Sequence, residues 1–426
     1  MSEQRQRYNV KPNFPKQVEN TVCCIDVLPP KTTPLGSNAN KVASPDGQQV
    51  KPKPQRAKLN KIRREIKNRR LASERVCNCG YRAIGRYAEL HLNPKFGSVK
   101  VGGVETCGSV WECPVCRTKI MTKRADELKA IGAGWRADGG QTAMVTLTIP
   151  HYKHQRLNAV LGQHKAKTGL SGAFYRLRQQ RAWREIKKQI GYASDVRVYD
   201  TTNGKKNGWH THIHLILYYK IDVDLNQLQT QIYSLWKNVC EMTGLGTPNA
   251  ENGVKVTRGA DEYLAKWGAP NELTSDSQKQ AKNGNKTIAE LENELLSGEA
   301  GEAEAILKEY YSVMRGRKLL TWAGENLRKR YLSEPDKTDD ELAADQHGNG
   351  ERLYVIEGKT WQQIYNTGEV GEMLTAVEAD RENGLFGFLL KHKINPAGVR
   401  RTIRDFGGQS LPPPKPAKWG NYKWLN

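Results

Sequence analysis

An α+β protein is what this chain predicts, and three observations predict it. Runs rich in β-branched residues, such as "QTAMVTLTIPH" (Gln141 to His151), stop at Pro or Gly as strands do. "DVRVYDTTNGKKNGWHTHIHLILYY" reads as two strands around a Gly- and Asn-rich turn, a β-hairpin. Segments with apolar residues at near-helical spacing lie before, between and after them, for example Lys119 to about Ala137, where Ile120, Leu128, Ile131 and Trp135 recur.

The elements follow in order. Residues 1–75 are Pro-, Asn- and Lys-rich without sustained periodicity and are expected to form a basic, disordered arm. Within them "KPKPQRAKLNKIRREIKNRR" (Lys51 to Arg70) reads equally as a solvated charged helix or linker and as a DNA-contacting arm. Residues 76–120 carry a cysteine cluster. After the strand at Gln141, residues 170–190 read as a basic helix, followed by the hairpin. Next come a helix from about Leu225 to Thr243, a short strand "GVKVTR", and a helix containing "DEYLAKW". Beyond about Asn271 the composition shifts. "TSDSQKQAKNGNKT" is a linker, "IAELENELLSGEAGEAEAILKEYYSVM" an acidic helix-former, "KTDDELAADQHGNGE" an acidic loop, and "SLPPPKPAKWGNYKWLN" an extended Pro-rich tail.

Bulk properties narrow the function classes. A chain of 426 residues is long enough for two domains plus flexible parts. Lys and Arg number 67 against 45 Asp and Glu, a formal charge of +22. That surplus favours a polyanionic partner, nucleic acid first. An anionic membrane surface would call for a long basic amphipathic helix, which the sequence lacks. The start, "MSEQRQRYNVKPNFPK", has no apolar core of the kind a signal peptide needs. No run approaches the roughly eighteen apolar residues of a membrane span. A cytoplasmic protein without a membrane partner is expected. There, eight cysteines read as metal ligands or buried thiols rather than disulfides.

The cysteines are spaced Cys77-x-Cys79, Cys107, then Cys113-x-x-Cys116, in "CNCG" and "TCGSVWECPVC". A C-x-x-C pair turning at a Pro lets two thiolates reach one tetrahedral Zn²⁺, and two further ligands must come from elsewhere. Cys107 and either Cys79 or Cys77 supply them. The expected structural zinc set is Cys79, Cys107, Cys113 and Cys116, with Cys77 the alternative to Cys79. Such a closed site staples the segment together and leaves no ligand position for catalysis.

The hairpin raises a second metal question. His210, His212 and His214 occupy alternate positions and project from one face of a strand, while Ile213, Leu215 and Leu217 project from the other. Neutral imidazoles on adjacent same-face positions can hold one ion. A turn centred on Lys206 places Asp200 opposite His212, with both side chains on one face. A carboxylate beside two imidazoles suits Mg²⁺ or Mn²⁺. His210 and His151 are the alternative third ligands, because a one-residue slip of register would exchange the faces. Downstream, Tyr263 and Lys266 in "DEYLAKW" share a helix face. A phenol is a feeble nucleophile at its free pKa near 10, and a neighbouring cation and a phosphate-polarising metal both help it.

In this order "VTLTIPH", "GWHTHIHLIL" and "YLAK" resemble the three motifs of plasmid rolling-circle replication initiators of the HUH endonuclease superfamily, over roughly residues 75–335. The His-hydrophobe-His motif falls on His212-Ile213-His214, and Tyr-x-x-Lys on Tyr263 and Lys266. "TCGSVWECPVC" and "GRKLLTWAGENLRKRY" extend the likeness to one bacterial branch. The resemblance implies a central antiparallel sheet with helices on one face and the histidines on a middle strand. It further implies nicking of an exposed single strand at a plasmid origin, the 5′ phosphate held on Tyr263, and an acid at the place of Asp200. Host helicase and polymerase are the implied partners, and an oligomer is compatible with it. The resulting organisation is an arm at 1–75, a zinc segment at 76–120, a nicking domain at 121–275, a mostly helical accessory region at 276–400 and a tail at 401–426. In one respect the chain departs from the pattern. Where some relatives carry a Tyr or Glu four residues before the nucleophile, to end the cycle, Gly259 stands here. A single-tyrosine transposase or relaxase shares the chemistry, and a non-catalytic zinc-containing DNA-binding regulator is the alternative from another class.

Overall fold

The computed structural model describes residues 54–163, 167–259, 284–297, 300–333, 336–344 and 350–402. Their elements run α1 (Pro54–Asn68), α2 (Glu74–Cys77), β1 (Tyr87–Asn93), β2 (Ser98–Gly102), α3 (Pro114–Ala137), β3 (Gln141–Thr148), α4 (Leu157–Leu161), α5 (Gly169–Gln179) and α6 (Arg181–Gln189). There follow β4 (Tyr192–Gly204), β5 (Gly208–Tyr219), α7 (Leu225–Met242), β6 (Val254–Arg258), β7 (Asn285–Thr287), α8 (Ile288–Glu294), α9 (Gly301–Met314) and β8 (Thr321–Gly324). The last are α10 (Leu327–Tyr331), α11 (Asp339–Ala344), β9 (Glu351–Glu357), α12 (Gly358–Thr367), α13 (Val370–Ala379), α14 (Arg381–Lys391) and β10 (Val399–Arg401). The architecture is α+β with antiparallel sheets and flanking helices.

A six-stranded antiparallel sheet has the order β6-β3-β5-β4-β7, with β8 also paired to β4. The alternation in β5 sorts its two faces. Ile213, Leu215, Leu217 and Tyr219 are fully buried in a core shared with Leu157, Phe174, Trp183, Leu228, Ile232 and Trp236 of α4 to α7. On the opposite face Ile216 and Tyr218 pack with Leu128, Ile131 and Trp135 of α3 and Leu327 of α10. Helices therefore cover both faces, where the resemblance implied one. The second layer follows from sequence: α3 carries its own apolar stripe, and Ile216 and Tyr218 would be left wet without it. Each large side chain so buried contributes about 1.5–3 kcal/mol.

A four-stranded sheet, order β10-β9-β1-β2, joins the two ends of the described chain. Its own core combines Leu90, Val99, Tyr354 and Ile356 with Trp361, Ile364, Met373, Val377, Leu385 and Phe388. The region beyond 276 is not simply helical, since β7 and β8 extend the central sheet, and β9 and β10 build the second one.

From residue 54 the basic arm is a packed helix. Leu59, Ile62 and Ile66 of α1 are buried at spacings of three and four. Several cations of α1 have partners on neighbouring elements. Arg56 pairs with Glu378 at 3.0 Å, Lys61 with Glu372 at 2.7 Å, and Arg64 donates to the Thr367 carbonyl at 2.6 Å. From Pro54 to Asn68 this segment is helical; residues 1–53 lie outside the described ones, as does the tail from 403. Two expected helices are also broken. The 170–190 run divides at Gln180, where ψ is 140°, into α5 and α6, and the acidic stretch divides into α8 and α9. The acidic loop contains α11, whose first turn is capped by Thr338 and Glu341. Among the described residues no helix is long and apolar enough to cross a membrane.

Candidate functional site

The β4–β5 register runs from Tyr192↔Tyr219 to Gly204↔Gly208, with Lys205, Lys206 and Asn207 in the turn. Gly208 adopts a φ of +67°, which the tight turn requires and a side chain would disfavour. This register sets Asp200 opposite His212, Val198 opposite His214 and Thr202 opposite His210. On the other side of β5, Thr148 stands opposite His212 and Thr146 opposite His214. The side chains meet in matching rows. His212 Nδ1 lies 2.9 Å from Thr148 Oγ1, and His214 Nδ1 lies 3.0 Å from Thr146 Oγ1. With each Nδ1–H donating to its threonine, the Nε2 lone pair becomes the ligand atom, the usual way a metal-binding imidazole is oriented.

Asp200 Oδ2 is 3.5 Å from His214 Nε2, and about half of the Asp200 side chain (49%) is exposed against 10% for His214. Desolvation opposes ionisation of Asp200, yet a His214 ring carrying a proton on Nε2 as well would donate to its carboxylate, and that hydrogen bond and charge hold the carboxyl below the usual range. Burial, with the charge of His210 adding to it, pushes His212 down to about 3. Burial and His151 push His210 down to about 4. Both rings are therefore neutral at pH 7, the form that ligates metal. The row is nevertheless open. The His212 and His214 ring centroids are 5.9 Å apart. Among the described residues the one group of three or more metal-ligand side chains whose donor atoms all lie within 4.8 Å is a different one. The donor types of His212, His214 and Asp200, two imidazoles and a carboxylate, are those that Mg²⁺ or Mn²⁺ accepts.

His151 and His210, the alternative third ligands, contact each other instead, with Nε2 and Nδ1 3.0 Å apart. Tyr263 and Lys266 lie outside the described residues. Lys255 was missed by sequence reasoning, which took "GVKVTR" only as a strand. It pairs with Thr146, so the row Lys255–Thr146–His214–Val198 places an exposed cation on the histidine face of edge strand β6. Only the strand order, which brings β6 beside β3, could have singled it out.

The tighter group is Cys79, Cys107, Cys113 and Cys116, all buried. Cys116 Sγ lies 3.6 Å from both Cys79 Sγ and Cys107 Sγ, and Cys113 Sγ lies 3.8 Å from Cys79 Sγ. Four sulfurs about 2.3 Å from a central zinc stand about 3.8 Å apart in a regular tetrahedron, whereas a disulfide requires about 2.05 Å. The group therefore fits a structural metal such as zinc. Cys77 stands apart, half-buried, with its thiol on the Ala72 carbonyl at 3.7 Å. Hydrogen bonds from neighbouring thiols, Cys107 foremost, hold Cys79 well below the ordinary thiol value, while contacts with Cys113 and Cys116 and burial push Cys107 well above it. Four buried thiolates this close would repel one another, and a cation at their centre would offset that repulsion.

A second layer encloses the cysteines. Arg63 of α1 is buried, with Nη1 3.9 Å from Cys79 Sγ and Nη2 donating to Asn60 Oδ1 at 2.7 Å. Burial works against its charge, but Tyr365 and the sulfurs of Cys79, Cys113 and Cys116 hold the guanidinium protonated, above its ordinary value. Gly80, at φ +77°, makes room for Arg63, since a Cβ there would stand 2.7 Å from Nη1. From α12, Trp361 donates to the Gly80 carbonyl and Tyr365 to the Cys79 carbonyl, each at 2.9 Å.

No family model and no solved structure matches the chain. Among curated proteins the chain is similar to one named Protein rep, from Streptomyces lividans, at 29% identity over 333 residues, which take in 61% of this chain and 72% of that one. It is also similar to one named Neomycin resistance protein, from Streptomyces cyanogenus, at 30% identity over 139 residues, 28% of this chain and 32% of the other. The likeness to a Rep protein that the ordered motifs suggest is thus found in a relative bearing that name.

Proposed function

We propose that this chain initiates plasmid rolling-circle replication by nicking one strand of DNA at the origin through a covalent phosphotyrosine. The observation that carries the reading is the shared face of Asp200, His212 and His214 on paired strands, in a chain similar to a Rep protein. The order of the motifs around that hairpin supports it further.

When bound by His212, His214 and Asp200, Mg²⁺ or Mn²⁺ would supply Lewis acidity to the scissile phosphate. Thr146 and Thr148 fix the two imidazole planes, and burial keeps His212 neutral. Tyr263 is the nucleophile: its Oη–P bond forms, the P–O3′ bond breaks, and the phenolic proton is lost as the 3′ oxygen gains one. Lys266 favours the phenolate and neutralises the phosphate. The free 3′-OH then serves a host polymerase, with a host helicase opening the strand. Zinc on Cys79, Cys107, Cys113 and Cys116 braces the fold and takes no part in the reaction. Gly259 leaves termination without the acceptor four residues upstream of Tyr263.

A zinc-braced DNA-binding regulator is the second reading, and the open spacing of the histidine row favours it. One experiment separates the two. Supercoiled origin plasmid is incubated with the protein and Mn²⁺, and relaxed circles carrying protein are sought. Wild type is expected to form them. Tyr263→Phe is expected to abolish the adduct while binding stays within a few fold, because only a hydroxyl is removed. Adduct formation by that variant would assign the chemistry to another residue, and no relaxation by wild type would favour the regulator.

A further inference from the structure

Past the histidine row the chain leaves β3 through Ile149 and Pro150 and turns over residues 151–155. Hydrogen bonds close this turn: the Tyr152 amide donates to Gln155 Oε1 at 2.7 Å, and the Gln155 amide to the Tyr152 carbonyl at 3.0 Å. It is also fixed to the row. The His151 ring lies 4.6 Å from that of His210, which lies 4.1 Å from that of His212. Gly208 packs against the Lys153 backbone, where a Cβ would meet the carbonyl oxygen at 2.6 Å.

The outer side of this turn carries aromatic rings. Tyr152 is 61% exposed, and its ring lies 6.2 Å from that of His154 at an interplanar angle of 11°. Lys153, His154 and Arg156 are exposed, as are Lys205 and Lys206 in the hairpin turn that Gly208 closes. Burial would explain a large aromatic side chain, and here there is none. An exposed parallel pair among cations, coupled through His151 to the row, offers a π-face and phosphate contacts together.

We infer that Tyr152 and His154 form a stacking subsite for one unpaired base of a single-stranded nucleic acid, beside the phosphate that the histidine row addresses. This rests on the nickase reading for the position of the strand. Every base has a π-face, so such a platform accepts any base yet rejects a duplex, whose base faces are already stacked. Lys153, Arg156, Lys205 and Lys206 take the flanking phosphates, which adds affinity without sequence choice.

The test uses the full chain and three probes: a fifteen-residue oligothymidylate, an abasic backbone of equal length, and the duplex form. Tyr152→Ala is expected to weaken binding of the oligothymidylate by about 5- to 150-fold and of the abasic strand by less than about twofold. Tyr152→Trp should keep the affinity, and the exposed position makes both variants fold like wild type. Equal weakening on both single strands would assign Tyr152 a general structural effect and overturn the subsite. So would unchanged affinity for the oligothymidylate in Tyr152→Ala, with the nickase reading left standing. Wild type that binds duplex but neither single strand would overturn the reading itself and the subsite with it.

Discussion

The cysteine group and the histidine row are two clusters of side chains of metal-ligand type, built on opposite plans. The cysteines are buried, mutually 3.6–3.8 Å apart where measured, and enclosed by Arg63, Trp361 and Tyr365. The histidines stand on a sheet face with ring centroids 5.9 Å apart, beside a carboxylate half open to solvent. A closed four-thiolate set leaves no coordination position for a substrate, whereas an open row does. The contrast teaches that the two clusters differ in burial as much as in ligand type.

The largest effect expected is at the closed cluster. Cys116→Ser should abolish zinc content, measured by atomic emission, and lower the melting temperature by more than about 10 °C, because the metal's binding energy is part of the folding energy. Retained zinc and stability would erase the contrast. Next in size, replacing His212 and His214 together by Ala should eliminate Mn²⁺-dependent plasmid relaxation while zinc content and melting temperature stay near wild type. Zinc loss in that variant would mean the two clusters are not independent.

An intermediate effect concerns pH. His210 and His212 titrate near 4 and 3 in the folded protein, below the ordinary value of about 6.5. The unfolded chain therefore binds more protons between those values, so the stability from these neutral rings is complete above about pH 6.5 and is lost as pH falls through 4. In buffer without divalent ions, the melting temperature should drop across that window. The drop should be shallower in a variant with both histidines changed to Gln, and an identical drop would remove the burial argument. The smallest effect is at the edge of the row. Lys255→Ala should weaken single-strand binding by about 3- to 10-fold and reduce the salt slope by about 0.7 to 1. An unchanged slope would take Lys255 out of the strand's path.

Much of the site's geometry was legible because strands alternate strictly. The spacing of His210, His212 and His214 fixed their common face, and the Gly- and Asn-rich turn set Asp200 against His212. The sulfur group was foreshadowed by C-x-x-C, although whether Cys77 or Cys79 completes it depends on the turn after α2, which spacing does not reveal. Three things stayed hidden for one reason: they depend on pairing between distant segments. Lys255 joins the histidine face only because β6 lies beside β3. The second sheet needs β1 beside β9, with Glu89 and Arg352 linked across 263 residues. The ion pairs of α1 need their acidic partners on α13, more than 300 residues on. The break at Gln180 escaped notice because helix propensity runs through it unchanged.

The enclosure of the cysteines also bears on how the protein is made. Tyr365 reaches the Cys79 carbonyl from 286 residues away. At about 5–20 residues per second, a ribosome needs about 15–60 s to cover that distance. For most of that interval, once Cys116 has been made, the nascent cysteine segment is complete but lacks its aromatic cover, and one edge of β1 waits without its neighbour. A message truncated before codon 351 would therefore yield a chain with a bare strand edge, and such edges recruit other chains.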